Sequence, residues 1–303
     1  MPELDKEVNS NKSSVEHEPS RTAMATAKLR AMAAADPAVR GPDTLAEIFL
    51  TEDRRRALKD PAARKRALSG STIPGMYEFM IARTAFFDAL VERAFREGTP
   101  QVVFLGAGYD TRPYRFRGLI GGTRIFELDA GPTQQRKIEI LRSSGIPVPP
   151  GLSFVSVNFN TDIFTDNLAR SGFDRNRETL FIWEGVTYYL PAAAVDLTLK
   201  LIRSCSPAGS SVCFDYSCYS PEELEHENVK KLRAAMRSRY SGEPVTFWIK
   251  AGGTEEFLAA RGYDLREHLT AEDMKMRYLD FPGAPSGKIP GLFRLACAAV
   301  CAS

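Results

Sequence analysis

Apolar and polar positions follow two different periods along this chain, and the change falls near residue 98. Before it the spacing is helical. Residues 22–35 are alanine-rich, with Met24, Leu29 and Met32 for one face, and Asp36-Pro37 stops them. Asp43 and Thr44 are placed to cap a short helix carrying Leu45, Ile48, Phe49 and Leu50. Residues 53–68 are crowded with Arg54, Arg55, Arg56, Lys59, Arg64, Lys65 and Arg66, the pattern of a solvated helix face or of a surface for an acidic partner. Residues 76–96 form a long apolar helix, from Met76 through Phe86 and Phe87 to Phe95, interrupted by Arg83. If that arginine faces inward it needs an anion, and a ligand carboxylate is one candidate.

Past residue 98, short apolar runs alternate with helical ones. Strands are predicted at 101–105, 123–128, 152–157, 179–183 and 210–214, and helices at 132–144, 162–170 and 191–204. This alternation predicts an α/β fold with a parallel, doubly wound sheet and helices on both faces. After Asp215 the rhythm breaks into a charged helical stretch at 220–241 and an extended aromatic piece at 243–249. A helix at 254–260 and strands at 262–267 and 292–300 complete a seven-stranded sheet, the last long enough for a closing antiparallel pair. The division expected is a disordered polar tail at 1–19, a helical cap at 20–98, and a ligand-binding domain at 99–303. An insertion at about 216–250 forms a pocket wall of that domain.

The strand ends carry the chemistry, at the edge where open α/β sheets bind ligands. The first strand runs into Gly106-Ala107-Gly108, which lets the backbone bend and approach a ligand. The second ends in Asp129, at the spacing of a ribose-binding acid, whose carboxylate can accept from both ribose hydroxyls. The third ends in Asn158-Phe159, an amide for an adenine edge and a ring for its face. The fourth ends in Glu184-Gly185, a carboxylate suited to an ammonium or sulfonium. A dinucleotide loop would place a third glycine where Thr111 stands. Asp110 puts a carboxylate where phosphates need positive potential. The loop therefore argues against NAD or FAD and for S-adenosylmethionine. Helix capping is the structural alternative for Asp129 and Glu184.

Composition narrows the partners. A hydrophobic share of 44%, 26% charged residues and a net charge of +2 give no reason to expect nucleic-acid or membrane binding. The polar N-terminus has no signal-peptide core. Cys205, Cys213, Cys218, Cys297 and Cys301 share no metal-ligand spacing with His17, His226 and His268. They read as buried free thiols of a cytoplasmic, metal-free protein.

Taken together, Arg83-Thr84, the run from Leu105 to Arg112, Phe126-Glu127-Leu128-Asp129, Val157-Asn158-Phe159 and the run from Phe181 to Leu190 resemble the motifs of the leucine carboxyl methyltransferase family. More narrowly they resemble its bacterial branch of S-adenosylmethionine-dependent O-methyltransferases, which includes polyketide carboxyl methyltransferases. The similarity runs from about residue 20 to 300. It implies a class I methyltransferase (Rossmann-like) fold with an N-terminal helical cap. It also implies that Arg83 holds the methionine carboxylate, Asp129 the ribose, and Asn158-Phe159 the adenine. Asn158 stands where many members carry an acid, and Ala85 where they carry a second arginine.

The function expected is methylation of a small-molecule carboxylate of secondary-metabolite or polyketide type. No catalytic residue is assigned, since such an acceptor is already ionised. Its pocket is expected among the cap, Tyr188, Tyr189, Tyr240 and Trp248. A phenol acceptor would need a base, for which His226 and His268 are candidates. Methylation of a protein C-terminal carboxylate, a nicotinamide oxidoreductase and a binding module acting through 54–66 are the other readings. The sequence does not reach the oligomeric state.

Overall fold

The computed structural model describes residues 18–69, 73–159, 162–227, 229–230 and 245–302. Residues 1–17 of the expected tail and, from the expected insertion, residues 228 and 231–244, Tyr240 among them, lie outside this set. Helix α1 (Arg21–Ala34) comes first, its N-terminus capped by the Ser20 hydroxyl. The basic stretch is two helices, α2 (Glu52–Lys59) and α3 (Pro61–Ser69), because Pro61 cannot continue the first. Asp43 does not open an α-helix: a 3₁₀ turn covers Ala46–Phe49, and Asp43 is buried against Arg30. Helix α4 (Met76–Glu97) is buried along most of its length, Arg83 included.

The sheet follows. In chain order it contains β1 (Gln101–Leu105), β2 (Arg124–Asp129), β3 (Leu152–Ser156), β4 (Thr179–Trp183) and β5 (Ser211–Tyr219). After these come β6 (Ile249–Lys250), β7 (Tyr263–Leu269) and β8 (Phe293–Val300). Seven strands lie in the order β3-β2-β1-β4-β5-β8-β7, and the two-residue β6 pairs beside the end of β5. β1 to β5 are parallel, while β8 runs antiparallel to both β5 and β7. Strand order reverses between β1 and β4, so the crevice of a doubly wound sheet opens beyond their C-terminal ends.

Every residue of β1 and β4 is buried, as central parallel strands require. Side chains alternate between two cores. Val102, Phe104, Leu180 and Ile182 face the core shared with α4, where Phe86, Phe87 and Phe95 lie. Val103, Leu105, Phe181 and Trp183 face the opposite core, with α7 (Phe164–Arg170) and α8 (Ala192–Ser204). A third cluster joins Ala27 of α1 to Tyr109 of the glycine loop and Leu141 of α6 (Gly131–Ser143). Helix α1 is thereby fixed over the C-terminal edge of the sheet.

One expectation is corrected. Cys213 and Cys297 are not free thiols: the β5–β8 register sets them directly opposite each other, and they form a disulfide across 84 residues of sequence. Cys205, Cys218 and Cys301 are free. Among the described residues no helix is long and apolar enough to cross a membrane, and no acid, histidine and cysteine cluster could hold a metal.

Candidate functional site

A cavity of about 500 Å³ lies in the crevice beyond β1 and β4, within the range of small-molecule sites. Its floor is the glycine loop. The amides of Gly106 and Ala107 both donate to the Leu128 carbonyl, at 2.8 and 2.9 Å, so the chain turns sharply as it leaves β1. Gly106 has φ +70°, and a Cβ there would stand 2.4 Å from the Val186 side chain. Only glycine fits.

Asp129, at the end of β2, borders the same cavity. Its carboxylate accepts the Gly108 amide, and its Oδ1 takes the Ala130 amide at 2.7 Å. It therefore holds the loop and the residue that leads into α6 at once, while a carboxylate has further lone pairs for ligand hydroxyls. Asn158 and Phe159 line the cavity too, joined by Asp162, whose carboxylate receives the Asn158 amide at 2.9 Å.

Beneath the cavity runs a buried chain of ion pairs. Arg83 sits between Glu184 (3.0 Å) and Asp215 (2.8 Å). Glu184 is also paired with Arg112 at 2.7 Å, and Arg112 binds Asp110 (2.6 Å) and Asp88 (2.7 Å). Asp88 and Asp43 are bridged by Arg115, and Asp43 is held by Arg30 of α1 at 2.7 Å. Arg30 also donates to the Tyr109 carbonyl at 2.8 Å, which ties α1 to the glycine loop. Each charge is compensated where an isolated one would be costly. Burial alone would lower the Arg83 pKa, but the Glu184 and Asp215 carboxylates raise it, so it remains a cation. Burial raises the Asp110 carboxyl, but Arg112, Lys137, Arg30 and the Arg112 amide together more than reverse this and hold it below the usual carboxylate range.

This arrangement decides what the loop can bind. In a dinucleotide site a helix N-terminus after the loop would receive phosphate. Here the helix is the short α5 (Arg112–Arg115), and the Asp110 carboxylate already accepts the Arg112 amide at 2.8 Å. A second anion there would be repelled. The cavity suits an adenosine ligand whose other end is cationic and free of phosphate, the character of S-adenosylmethionine.

Arg83, Gly106, Ala107, Gly108, Asp129, Asn158, Phe159 and Glu184 all line this one cavity. Arg83 faces inward, and the anions it meets in this structure are the carboxylates of Glu184 and Asp215. A second cavity, about 370 Å³, adjoins the first; Thr22, Thr26, Arg83 and Tyr189 line both. Tyr188 borders the second, where burial and the nearby Asp215 carboxylate push its phenol pKa well up. Trp248 lines neither: it packs edge-on to Tyr219 at 6.5 Å. His226 is exposed, and His268 bonds the Tyr216 hydroxyl at 2.9 Å, away from both cavities. Arg30, Arg112, Asp162 and Asp215 are site residues that the sequence reading passed over. The available signals were Arg30 within an alanine-rich helix and Asp215 closing a predicted strand.

Relatives place this geometry in context. The profile of the leucine carboxyl methyltransferase family matches residues 23–203. A Bacillus subtilis protein is 30% identical over 199 residues, 64% of each chain. A Mycolicibacterium paratuberculosis protein is 32% identical over 229 residues, 72% of each chain. Both are named "Putative S-adenosyl-L-methionine-dependent methyltransferase". The aligned chain thus spans less than two thirds of the Bacillus relative. The solved structure of a Thermobifida fusca protein superposes with a TM-score of 0.58 at 17% identity, covering 94% of this chain and 96% of that one, which supports the fold. The chain belongs to the leucine carboxyl methyltransferase family, among the S-adenosylmethionine-dependent methyltransferases.

Proposed function

We propose that the protein is an O-methyltransferase that esterifies a carboxylate of a small molecule. S-adenosylmethionine, when bound, supplies a methyl on a sulfonium; its transfer to a carboxylate oxygen leaves a thioether and moves no proton. The observation that carries the choice of acceptor is the lack of a free base where the cavities meet. Among the described residues no histidine lines either cavity. The carboxylates of Glu184 and Asp215, which flank the Arg83 that lines both cavities, are each held by a guanidinium. A phenol or alcohol would need its proton removed there, and an ionised carboxylate needs only orientation and exclusion of water.

In this reading Asp129 takes the ribose hydroxyls, Asn158 and Phe159 the adenine, and the glycine-loop backbone the amino-acid end. Glu184, partly exposed to the cavity, meets the ammonium; Arg83 and Arg112 hold its two oxygens in place. Tyr188, kept protonated, offers an O–H to the acceptor side. The test is chemical. The protein is incubated with methyl-labelled S-adenosylmethionine and extracts of small acids and phenols, and the product is treated with mild base. A label released by base as methanol supports an ester; a base-stable label would mean an ether and overturn the carboxylate assignment.

A further inference from the structure

Helix α1 is a wall common to both cavities. Ala23 and Arg30 face the first, while Ala25, Leu29 and Met32 face the second, and Thr22 and Thr26, one turn apart, front both. A molecule in the second cavity therefore abuts the first across the row Thr22, Thr26, Arg83 and Tyr189. Away from that row the walls are mostly apolar, with Leu29, Met32, Ile73, Phe79, Leu292 and Phe293, and the hydroxyl-bearing residues among them are Tyr77, Tyr188, Ser217 and Tyr219. Phe79 and Phe293 stack with ring centroids 4.1 Å apart, giving a flat, rigid surface. The charged residues besides Arg83 are Lys28 and Glu78, both partly exposed.

We infer that the second cavity is an acceptor chamber for a carboxylic acid with an apolar, hydrocarbon-rich body, its carboxylate directed to the Thr22–Thr26–Arg83–Tyr189 row. The inference rests on the carboxyl methyltransferase reading above. Burial of an apolar body against these walls is favourable in proportion to its area. A dicarboxylate would leave its second charge among mostly apolar side chains unless it reached the partly exposed Lys28, and a peptide end would bury amide groups with few partners. The chamber thus selects against polar acids and protein C-termini.

Two readouts test this on the full chain: calorimetry of acids binding to the S-adenosylhomocysteine complex, and methyl ester formation from S-adenosylmethionine. The acids are straight-chain and aryl monocarboxylates of graded size, matched dicarboxylates and a peptide ending in leucine. Each added methylene should tighten binding about three- to fourfold until the chamber is full. Leu29→Trp should weaken the largest acids at least about tenfold by overpacking the chamber. Short acids and S-adenosylhomocysteine should stay within about twofold of wild type, since neither touches the filled volume. Leu292→Trp, on the opposite wall, should repeat the pattern if Leu29→Trp fails to fold. Equal or tighter binding of dicarboxylates or peptide would overturn the chamber, as would large acids indifferent to both substitutions while S-adenosylhomocysteine binds normally. If apolar acids bind as expected and no ester forms, the chamber stands and the transferase reading falls. If the peptide or dicarboxylates are methylated and apolar acids ignored, the chamber falls and the transferase reading stands.

Discussion

The two adjoining cavities are built by different means. The first is made of strand ends, loop backbone and carboxylates that guanidiniums hold in place. The second is made largely of apolar side chains from α1, α4 and the approach to β8. Backbone and paired charges admit few substitutions, because a shifted loop or an unpaired buried charge costs several kcal/mol. Apolar walls can change volume and shape residue by residue at modest cost. The contrast teaches that such a protein keeps one ligand site fixed while leaving the neighbouring one free to diverge.

The largest effect is expected from removing a charge beneath the first cavity. Arg112→Met removes the guanidinium that pairs with Asp110 and leaves Asp88 and Glu184 each one partner short, and should cost about 3–5 kcal/mol of stability in urea unfolding. A loss below about 1 kcal/mol would mean the ion-pair chain is not what holds the wall. Next in size, Asp129→Ala removes the carboxylate that holds the Gly108 amide and is assigned to the ribose. Cofactor affinity by calorimetry should fall about 100-fold, two charge-assisted hydrogen bonds being worth that much; unchanged affinity would remove the ribose assignment. Gly106→Ala forces a Cβ into Val186 at positive φ and should cost about 1–3 kcal/mol of stability, with weaker cofactor binding alongside.

The smallest effect is a pH dependence beneath the first cavity. Burial pushes the Glu127 carboxyl up to about 7, against the pull of Lys137 at 2.7 Å. A raised folded pKa means the native state holds the proton more tightly than the unfolded chain. The associated stability is fully present below the ordinary carboxyl range and is lost as pH rises to about 7. Its slope is at most about 1.4 kcal/mol per pH unit. Thermal midpoints from pH 4.5 to 7.5 should show this downward contribution in the wild type relative to the Glu127→Gln, Lys137→Met double variant. Parallel profiles would show that Glu127 does not titrate there.

The same contrast explains what could be read from sequence. β1 and β4 were legible to the residue, because central parallel strands are continuous apolar runs bounded by glycine and charge. The strand-end residues were legible because chain order in a doubly wound sheet delivers them to one edge. The ion-pair chain was not: Asp88 and Arg112 are visible as residues, but nothing local says they meet at 2.7 Å. Likewise β5 extends to Tyr219 because Asp215, which looked like a strand end, is buried against Arg83 and pairs onward with β8. The Cys213–Cys297 bond depends on a register set by that pairing. The helix Ala271–Tyr278 has a weak apolar face and escaped notice. The chamber gathers side chains from distant segments, which no motif spacing encodes.

The most direct test of two consecutive sites is a crystal structure with S-adenosylhomocysteine and an apolar carboxylic acid. The adenosine should lie between Asp129 and Phe159, the ligand sulfur facing the row Thr22, Thr26, Arg83 and Tyr189, and the acid beyond that row with its carboxylate toward the sulfur. An acid bound outside the second cavity, or an adenosine group away from Asp129, would contradict this arrangement.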